Sequence, residues 1–385
     1  RSGESIGTLR APEDELGAIA AAIGRTGKGV IQLISDAYLT ADDAFAHAEL
    51  DLVRKLALAS ERPISITVQQ TPNAPDRWRM IYERIEAMRA EGLAISAQVA
   101  VRAVGGILGF RVTANPFMNT PTFRSIAGLA PSDRVARLRD PSIRGRILEE
   151  QKLPVDGPFG ETLARDFHRM FRMNDPVDYE PTPENSLRAE AERAGRDPVA
   201  HVYDVLLEND GNRLVYFPAL NFLSGDLRAV HDMMEADYAL FGLSDGGAHC
   251  GSICDASFTT SAISMWPAGS KSGHALPLEA MVHGYSQRNA RHVGWFDRGV
   301  VARGYLADLN LLALDELALP PPEIVHDLPA GGMRLVQKAR GYRATIKNGV
   351  VTLRDGVLTG ALPASLVRGA RALPMLAGRL ADAAV

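Results

Sequence analysis

An aspartate that directly follows an apolar run is the clearest candidate for chemistry in this sequence. Asp245 comes after the run 239–243 and is followed by two glycines and then by His249. If that run is a strand of a parallel barrel, its carboxyl end lies on the catalytic face. A carboxylate at that end can bind a divalent metal, or take a proton from a metal-bound water that attacks a carbonyl. The spacing also suits an aspartate that caps the next helix, so both interpretations of Asp245 stay open.

His249 is the second candidate catalytic residue, and it stands beside both cysteines of the chain, Cys250 and Cys254. A structural zinc site would need about four ligands, and no further ligand occurs at the expected spacing. We therefore interpret His249 as a group that polarises or hydrogen-bonds a substrate, and Cys254 as a packing residue. Two cysteines this close together argue against a disulfide framework and favour a reducing compartment, so the predicted location is the cytoplasm.

Polar side chains also lie at the ends of three earlier apolar runs. The first run ends in Ser35 and Asp36, the second in Gln69 and its neighbour, and the third in Gln98 with Arg102 shortly after. Parallel strands would bring these groups to the same face as the aspartate of the last strand. We expect Asp36 to be a metal ligand and Gln69, Gln98 and Arg102 to bind substrate. Polar residues after strands are common in loops, so it is the convergence of these side chains on one face that indicates a site.

These residues need a sheet to position them, and the sequence alternates between strand and helix patterns. Strands are predicted over 30–35, 63–69 and 93–99, and helices over 11–27, 40–60 and 75–91. Apolar strands alternating with helices are typical of a parallel α/β sheet covered on both faces. A (β/α) TIM-type barrel and an open doubly wound sheet both fit. No G-x-G-x-x-G follows any strand, which disfavours dinucleotide binding.

Three regions follow from the pattern along the chain. Residues 1–306 are predicted to form a barrel portion, interrupted by a Pro-rich and charged insertion over 114–198. This insertion either lines the active-site face, where barrel insertions usually lie, or forms a peripheral helical subdomain. Residues 307–369 have the short strands of a β-rich subdomain, with Asn-Gly and Asp-Gly turns at 348–349 and 355–356. Residues 370–385 are predicted to be a loose tail. A strand at 213–217 is expected where the alternation resumes.

Composition limits the partners of this chain. Its 385 residues carry a net charge of −4, which provides no field that would gather nucleic acid or anionic lipid. We find no apolar stretch of the length that a membrane span needs. The expected partner is therefore a small-molecule substrate, and a homo-oligomer stays open.

The segment 242–309 resembles one known family. Gly242-Leu243-Ser244-Asp245-Gly246, followed by Asp297-Arg298-Gly299, Gly304 and Ala307-Asp308-Leu309, is similar to the signature of the N-acyl-D-amino-acid deacylases of the amidohydrolase superfamily. The resemblance implies a barrel hydrolase with one or two zinc ions, in which Asp245 binds metal and acts as general base. The later element would lead the chain into a small β-domain. By this resemblance the chain corresponds to the C-terminal two-thirds of such an enzyme.

The sequence also departs from that family. The family's first-strand His-x-His pair occurs nowhere among the nine histidines of the chain, so those ligands are expected outside it. Asp36 and Gln69 stand where the family has metal-binding histidines, and Thr71 stands where a lysine would hold the substrate carboxylate. The resemblance therefore leaves the substrate of this member open.

The preferred hypothesis is a metal-dependent hydrolase of C–N amide bonds, acting on N-acyl-D-amino acids or related amides through a metal-activated water. The alternatives are a non-catalytic barrel that binds a small molecule with the same polar groups, and an inactive fragment that lacks the first-strand ligands. A nicotinamide or flavin oxidoreductase would need a phosphate-binding glycine cluster, which the sequence does not show.

Overall fold

The computed structural model describes residues 11–154, 160–244, 246–376 and 379–380. They form a mixed α/β fold. In chain order the strands are β1 (Ile31–Leu33), β2 (Ile64–Thr67), β3 (Ile95–Ala100), β4 (Val104–Leu108), β5 (Phe171–Arg172), β6 (Val215–Leu220), β7 (Ala239–Gly242), β8 (Leu309–Leu312), β9 (Glu323–Leu328), β10 (Gly332–Val336), β11 (Tyr342–Lys347), β12 (Val350–Arg354), β13 (Val357–Leu358), β14 (Met375–Leu376) and β15 (Arg379–Leu380).

The helices fall mainly between the strands of the first three hundred residues. They are α1 (Glu13–Arg25), α2 (Asp43–Ser60), α3 (Arg77–Ala90), α4 (Pro121–Ile126), α5 (Pro131–Leu138), α6 (Pro141–Glu150), α7 (Gly160–Arg165), α8 (Leu187–Arg193), α9 (Pro198–Leu206), α10 (Glu208–Gly211), α11 (Arg228–Glu235), α12 (Phe258–Met265), α13 (Leu278–His283) and α14 (Asn289–His292). A π-helical turn, Gly284–Arg288, joins the last two. Within the described residues, no helix combines the length and the apolar character needed to cross a bilayer.

Four strands form a parallel sheet in the order β1-β2-β3-β7. The helices predicted between the first three strands are present, and α2 shows how the sequence sets one of them. Its first turn is capped by the Asp42 carboxylate, which accepts a hydrogen bond from the Phe45 amide. The helix ends where Glu61 adopts a left-handed conformation with φ 51°. The helix is predicted to begin at Thr40, but the Thr40 hydroxyl lies before the helix and accepts a hydrogen bond from the Asp42 amide.

A second, antiparallel sheet has the order β4-β6-β5. The strand expected at 213–217 forms as β6, but it pairs with β4 rather than joining the parallel sheet. Gly105 of β4 permits this pairing, since a Cβ atom there would lie 2.4 Å from the Phe217 carbonyl oxygen. Helices of the 114–198 region pack around a hydrophobic cluster on one side of this sheet. We call it the aromatic cluster, because it contains Phe110, Phe117, Phe123 and Tyr203.

The C-terminal part of the chain forms antiparallel strands. β8, β11, β12 and β13 make a four-stranded sheet, and β9 pairs with β10. The predicted Asn-Gly and Asp-Gly turns connect β11 to β12 and β12 to β13, with Asn348 and Gly349 at φ 51° and 79°. Positive φ at both central residues is what a tight hairpin turn requires. β14 pairs with β15, and residues 381–385 of the predicted tail lie outside the described part.

Candidate functional site

The two faces of the parallel sheet differ in chemistry. The cross-strand pairs Ile31–Ile64, Ile66–Ala97 and Val99–Phe241 alternate with the pairs Gln32–Ser65, Ser65–Ser96 and Thr67–Gln98. Because successive side chains of a strand point to opposite faces, one face is apolar and the other is mostly polar. Parallel sheets are normally apolar on both faces, because both are covered. We call the side chains of Gln32, Ser65, Thr67, Ser96 and Gln98 the polar face.

Hydrogen bonds connect the polar face across three strands. Gln32 donates to the Gln98 Oε1 atom over 3.3 Å, and Gln98 donates in turn to the Ser65 hydroxyl over 3.2 Å. The Ser96 hydroxyl lies 3.5 Å from Nδ1 of His292. Burial lowers the pKa of His292, so this ring favours its neutral form. Gln98, predicted to bind substrate, is thus oriented by its neighbours with its amide on the polar face.

Within the described part of the chain, two buried oxygen atoms near this face have no hydrogen-bond partner. They are the Oγ1 atom of Thr67 and the Oε1 atom of Gln69, and both side chains are buried. Most buried polar atoms in native proteins are hydrogen-bonded, so an exception calls for an explanation such as a ligand or an ion. Gln69 follows β2 by two positions and was predicted to bind substrate. Its acceptor atom is therefore available for a ligand that donates a hydrogen bond or for a cation.

The adjacent Gln70 has a structural task instead. The backbone amide of Gln70 donates to the side-chain Oδ1 of Asn221 over 2.6 Å, and the backbone amide of Asn221 donates to the backbone carbonyl of Gln70 over 3.1 Å. Asn221 is fully buried and has φ 62°, a left-handed conformation in which asparagine is enriched. This clamp fixes the chain directly after β2 and leaves Gln69 as the residue free to act.

Asp36, the predicted metal ligand, begins a short 3-10 turn after β1 and is exposed. The Ser35 hydroxyl caps this turn by accepting a hydrogen bond from the Ala37 amide. Asp36, Gln32 and Glu49 contribute the polar part of a cleft of about 520 Å³, whose remaining walls are apolar side chains of α1, β1 and α2. The carboxylate of Asp36 is accessible to an ion or a substrate at the carboxyl end of β1.

The end of β7 has an unusual backbone. Asp245, predicted to be both catalytic and a metal ligand, lies outside the described residues. Around it, Leu243 has φ 58° and Gly247 has φ 104°. A leucine rarely adopts a left-handed conformation, and strained residues of this kind concentrate at functional sites. His249, the other predicted catalytic residue, also has positive φ (47°), and its side chain is exposed.

Arg102 takes its contacts from a different group of residues. Its guanidinium stacks 3.4 Å from the Tyr179 ring centroid and donates to the Ser257 hydroxyl over 3.1 Å. Asp255 lies 3.5 Å away and forms a buried ion pair with it. The side chain is almost completely buried, although Nε and Nη1 form no hydrogen bond with the residues described by the structure. These contacts indicate a packing and charge-pairing task, and the prediction that Arg102 binds substrate stays a prediction.

Cys250 and Cys254 are both free thiols. Burial raises the pKa of the Cys254 thiol to about 11, so the thiol is protonated at neutral pH. A cysteine binds metal as the thiolate. Cys254 packs against the larger hydrophobic cluster, which includes Ile64, Ile66 and Val99 of the parallel sheet and is here called the main cluster. These properties favour packing over a soft metal site for Cys254.

The element Asp297-Arg298-Gly299 to Asp308 forms an ionic network. Arg298 bonds to both aspartates, Arg371 to Asp297, and Lys347 to Asp308 over 2.6 Å. Burial alone would raise the pKa of Asp297 and Asp308, but these hydrogen bonds outweigh it and lower both. Gly299, at φ 83°, approaches the Gln287 backbone so closely that a Cβ atom would lie 2.9 Å from its Cα. This part of the sequence signature therefore anchors the C-terminal strands.

The described residues thus define an α/β protein with a polar site on one face and at the carboxyl edge of a parallel sheet. This chain belongs to the amidohydrolase family, whose sequence model matches residues 2–353. No curated protein sequence matches it.

Two solved structures to which this chain is similar are deacylases. A D-aminoacylase described as defining a novel subset of amidohydrolases shares 17% identity at a TM-score of 0.50, over 93% of this chain and 59% of that one. An N-acyl-D-glutamate deacylase from Bordetella bronchiseptica, complexed with zinc and a phosphonate inhibitor, shares 14% at a TM-score of 0.48, over 91% and 59%. The present chain spans 59% of the length of these relatives.

The sequence pattern predicts Gln69 and Gln98 as site residues, but it does not predict the rest of the polar face. Ser65, Thr67 and Ser96 complete the polar face, and their signal is the alternation of polar and apolar residues in 64–67 and 95–98. Asn221 and Asp255 were missed for another reason. Each acts on a residue about 150 positions earlier in the chain, and no local pattern marks such a pairing.

Proposed function

We propose that the parallel sheet is part of a (β/α) barrel, and that its polar face forms one wall of the active site of a metal-dependent amide hydrolase. The observation that carries this proposal is the polar face itself, with its unpartnered acceptors on Thr67 and Gln69. Membership of the amidohydrolase family supports the reaction class. The similar fold of D-aminoacylase supports the architecture.

The order of the strands is compatible with a barrel. β1, β2, β3 and β7 are all parallel, and β1 and β7 form the edges of the described sheet. Closing such a sheet requires further parallel strands between these two edges. The apolar part of the cleft beside β1 would accept the helix of an adjoining β-α unit. In a closed barrel the polar face would point into the interior and Asp36, Gln69 and Asp245 would lie at its catalytic end.

The metal is the least complete part of the described site. Asp36 supplies one carboxylate and Gln69 one amide oxygen, whereas a catalytic zinc takes about three protein ligands, mostly histidine and carboxylate. The described edge therefore fits a zinc site only in part. Asp245 would be the second carboxylate, and the remaining ligands would come from outside this chain. A bound divalent metal would supply an activated water for attack on the amide carbonyl.

The residues of this chain have separate tasks in the proposed reaction. Asp245 takes a proton from the attacking water and returns it to the departing amine. Gln69 and Gln98 offer amide groups that hold the substrate amide and its carboxylate by hydrogen bonds. His249, exposed after β7, hydrogen-bonds the substrate carbonyl. N-acyl-D-amino acids are the first substrates to test, and because Thr71 stands where the deacylases have a carboxylate-binding lysine, related amides are tested beside them.

The decisive experiment measures metal content and hydrolysis in the full-length protein. N-acyl-D-amino acids, their L-enantiomers and cyclic amides are assayed for released amine. Replacement of Asp245 by alanine should lower turnover by about 10²–10⁴-fold, as expected for loss of a general base, and should reduce bound zinc. Asp237→Asn, which changes an exposed aspartate just before β7, should leave both unchanged.

One outcome would favour the alternative function. A folded, metal-free protein that binds acyl amino acids tightly but releases no amine, with or without Asp245, is a small-molecule-binding barrel. It would use the same polar groups without chemistry. That result would overturn the hydrolase proposal while leaving the polar face as the binding site.

A further inference from the structure

Helix α11 carries three side chains of the types that bind metal ions, namely His231, Asp232 and Glu235. His231 and Glu235 lie one helical turn apart and therefore share a face of the helix, and Asp232 is adjacent. Nδ1 of His231 lies 3.6 Å from the Oδ1 atom of Asp232 and 3.7 Å from the Oε2 atom of Glu235. The three ligand atoms all lie within 4.8 Å of one another.

One ring nitrogen of the histidine in this group is buried without a hydrogen bond to any described residue. His231 is 9% exposed, and no residue that the structure describes forms a hydrogen bond with its Nδ1 atom. Its ring stacks against His274, with centroids 4.7 Å apart, and lies 5.9 Å from Trp266. A buried imidazole nitrogen normally has a partner, because leaving it without one costs free energy. The nitrogen points instead towards two carboxylates that are too distant to accept a hydrogen bond.

The distances suit an ion between the three atoms better than direct pairing. A charge-assisted hydrogen bond from a protonated histidine would place nitrogen and oxygen about 2.7–2.9 Å apart. A cation held at about 2.0–2.2 Å by nitrogen and carboxylate ligands separates its tetrahedral ligands by roughly 3.4 Å. The observed separations of 3.6 and 3.7 Å are near the second value.

Neighbouring residues orient the Asp232 carboxylate, and the exposed Glu235 leaves the group open to solvent. Arg79 lies 3.5 Å from the Oδ2 atom of Asp232, which is the oxygen not directed at His231. Such an outer contact orients a ligating carboxylate, although the positive charge of Arg79 also reduces its affinity for a cation. The Glu235 side chain is 60% exposed, so an ion and its water ligands can enter from solvent.

We propose that His231, Asp232 and Glu235 bind one divalent transition metal ion, with water completing its coordination. An imidazole ligand selects zinc, nickel, cobalt or copper over magnesium and calcium. The site uses side chains of α11, and it is separate from the residues assigned to hydrolysis. The ion would neutralise the two carboxylates and fix the side chains of His231, Asp232 and Glu235 along one part of α11.

Zinc and nickel titrations of chelator-treated full-length protein test this site. Calorimetry at neutral pH compares the native chain with Glu235→Gln, Asp232→Asn, Asp237→Asn and Asp245→Ala. Glu235 is exposed, so its replacement does not threaten folding. Glu235→Gln and Asp232→Asn should weaken one binding event by at least about tenfold, since even second-shell changes have such effects. Asp237→Asn and Asp245→Ala should keep that event.

Thermal unfolding provides the second measurement. Added zinc should raise the unfolding temperature of the native chain, Asp237→Asn and Asp245→Ala, and raise it less in Glu235→Gln. Equal zinc affinity, stoichiometry and thermal shift in Glu235→Gln and Asp237→Asn would overturn the site. A metal lost only on replacement of Asp245 would also overturn it, because that ion would belong to the proposed hydrolytic site.

Discussion

The parallel sheet β1-β2-β3-β7 and the antiparallel sheet β4-β6-β5 reverse the usual relation between strand direction and burial. Antiparallel sheets commonly expose one face, whereas parallel sheets are apolar on both. Here the antiparallel sheet is apolar on both faces, with Ile107 and Tyr216 in the main cluster and Leu108 and Val215 in the aromatic one. The parallel sheet has one polar face. The antiparallel sheet therefore joins two cores, and the parallel sheet keeps polar groups that packing alone does not require.

The largest effect is expected in the aromatic cluster behind the antiparallel sheet. Phe110 is fully buried, and its ring lies 5.2 Å from Tyr203 and 6.0 Å from Phe117 between centroids. Phe110→Ala should lower the free energy of unfolding by about 3–5 kcal/mol, because it removes aromatic contacts and leaves a cavity. Urea denaturation measures this loss. Leu129→Ala, at an exposed position of the same region, is the control and should cost much less.

A smaller loss is expected from crowding the contact between β4 and β6. Gly105→Ala places a Cβ atom 2.4 Å from the Phe217 carbonyl oxygen, so the strands must separate. We expect destabilisation of about 1–3 kcal/mol in chemical denaturation. Gly128→Ala is the matched control, because no atom lies within 4 Å of its added Cβ. Equal stability of the two variants would show that the antiparallel sheet does not hold the cores together as described.

The polar face should respond in the opposite direction. Thr67→Val removes a buried hydroxyl whose oxygen has no partner, so we expect unchanged stability or a gain of up to about 1 kcal/mol. Thr120→Val removes an equally buried hydroxyl that donates to the Phe117 carbonyl over 2.9 Å and caps α4, so it should cost about 1 kcal/mol.

Binding distinguishes the two threonines further. Thr67→Val should weaken substrate or ligand binding by the full-length protein, whereas Thr120→Val should leave it unchanged. A stability loss in Thr67→Val as large as that in Thr120→Val would show that the Thr67 hydroxyl serves the fold. The contrast between the two sheets would then be one of composition and not of function.

The sequence predicts the strands and helices that depend on neighbouring residues, but it does not predict pairings between residues far apart in the chain. The alternation of β1, α2, β2, α3 and β3 follows from apolar periodicity, which is a property of neighbouring residues. The pairing of β6 with β4 does not, because its partner is more than a hundred positions away and contains two glycines that weaken its strand pattern. In the candidate site, Gln69 and Gln98 are predicted from their position near the ends of apolar runs, although Gln98 lies inside β3 and not after it. The partners of Arg102 come from β-α connections that only the fold brings together.

The smallest effect concerns the pH dependence of stability and tests whether the polar face is sealed. Burial lowers the pKa of His292 below that of the unfolded chain, which is about 6.5. Above that pH the ring is neutral in both states, and its contribution to stability is fully present. As the pH falls through 6.5 the unfolded chain takes up a proton first, so stability is lost towards the lower folded pKa.

His292→Asn should therefore flatten the fall in unfolding free energy between pH 7 and 5. Ser96→Ala, which removes the hydroxyl 3.5 Å from the ring but does not titrate, should keep the native slope. An unchanged slope in His292→Asn would mean that water reaches this ring, and that the polar face is open to solvent at its β3 side.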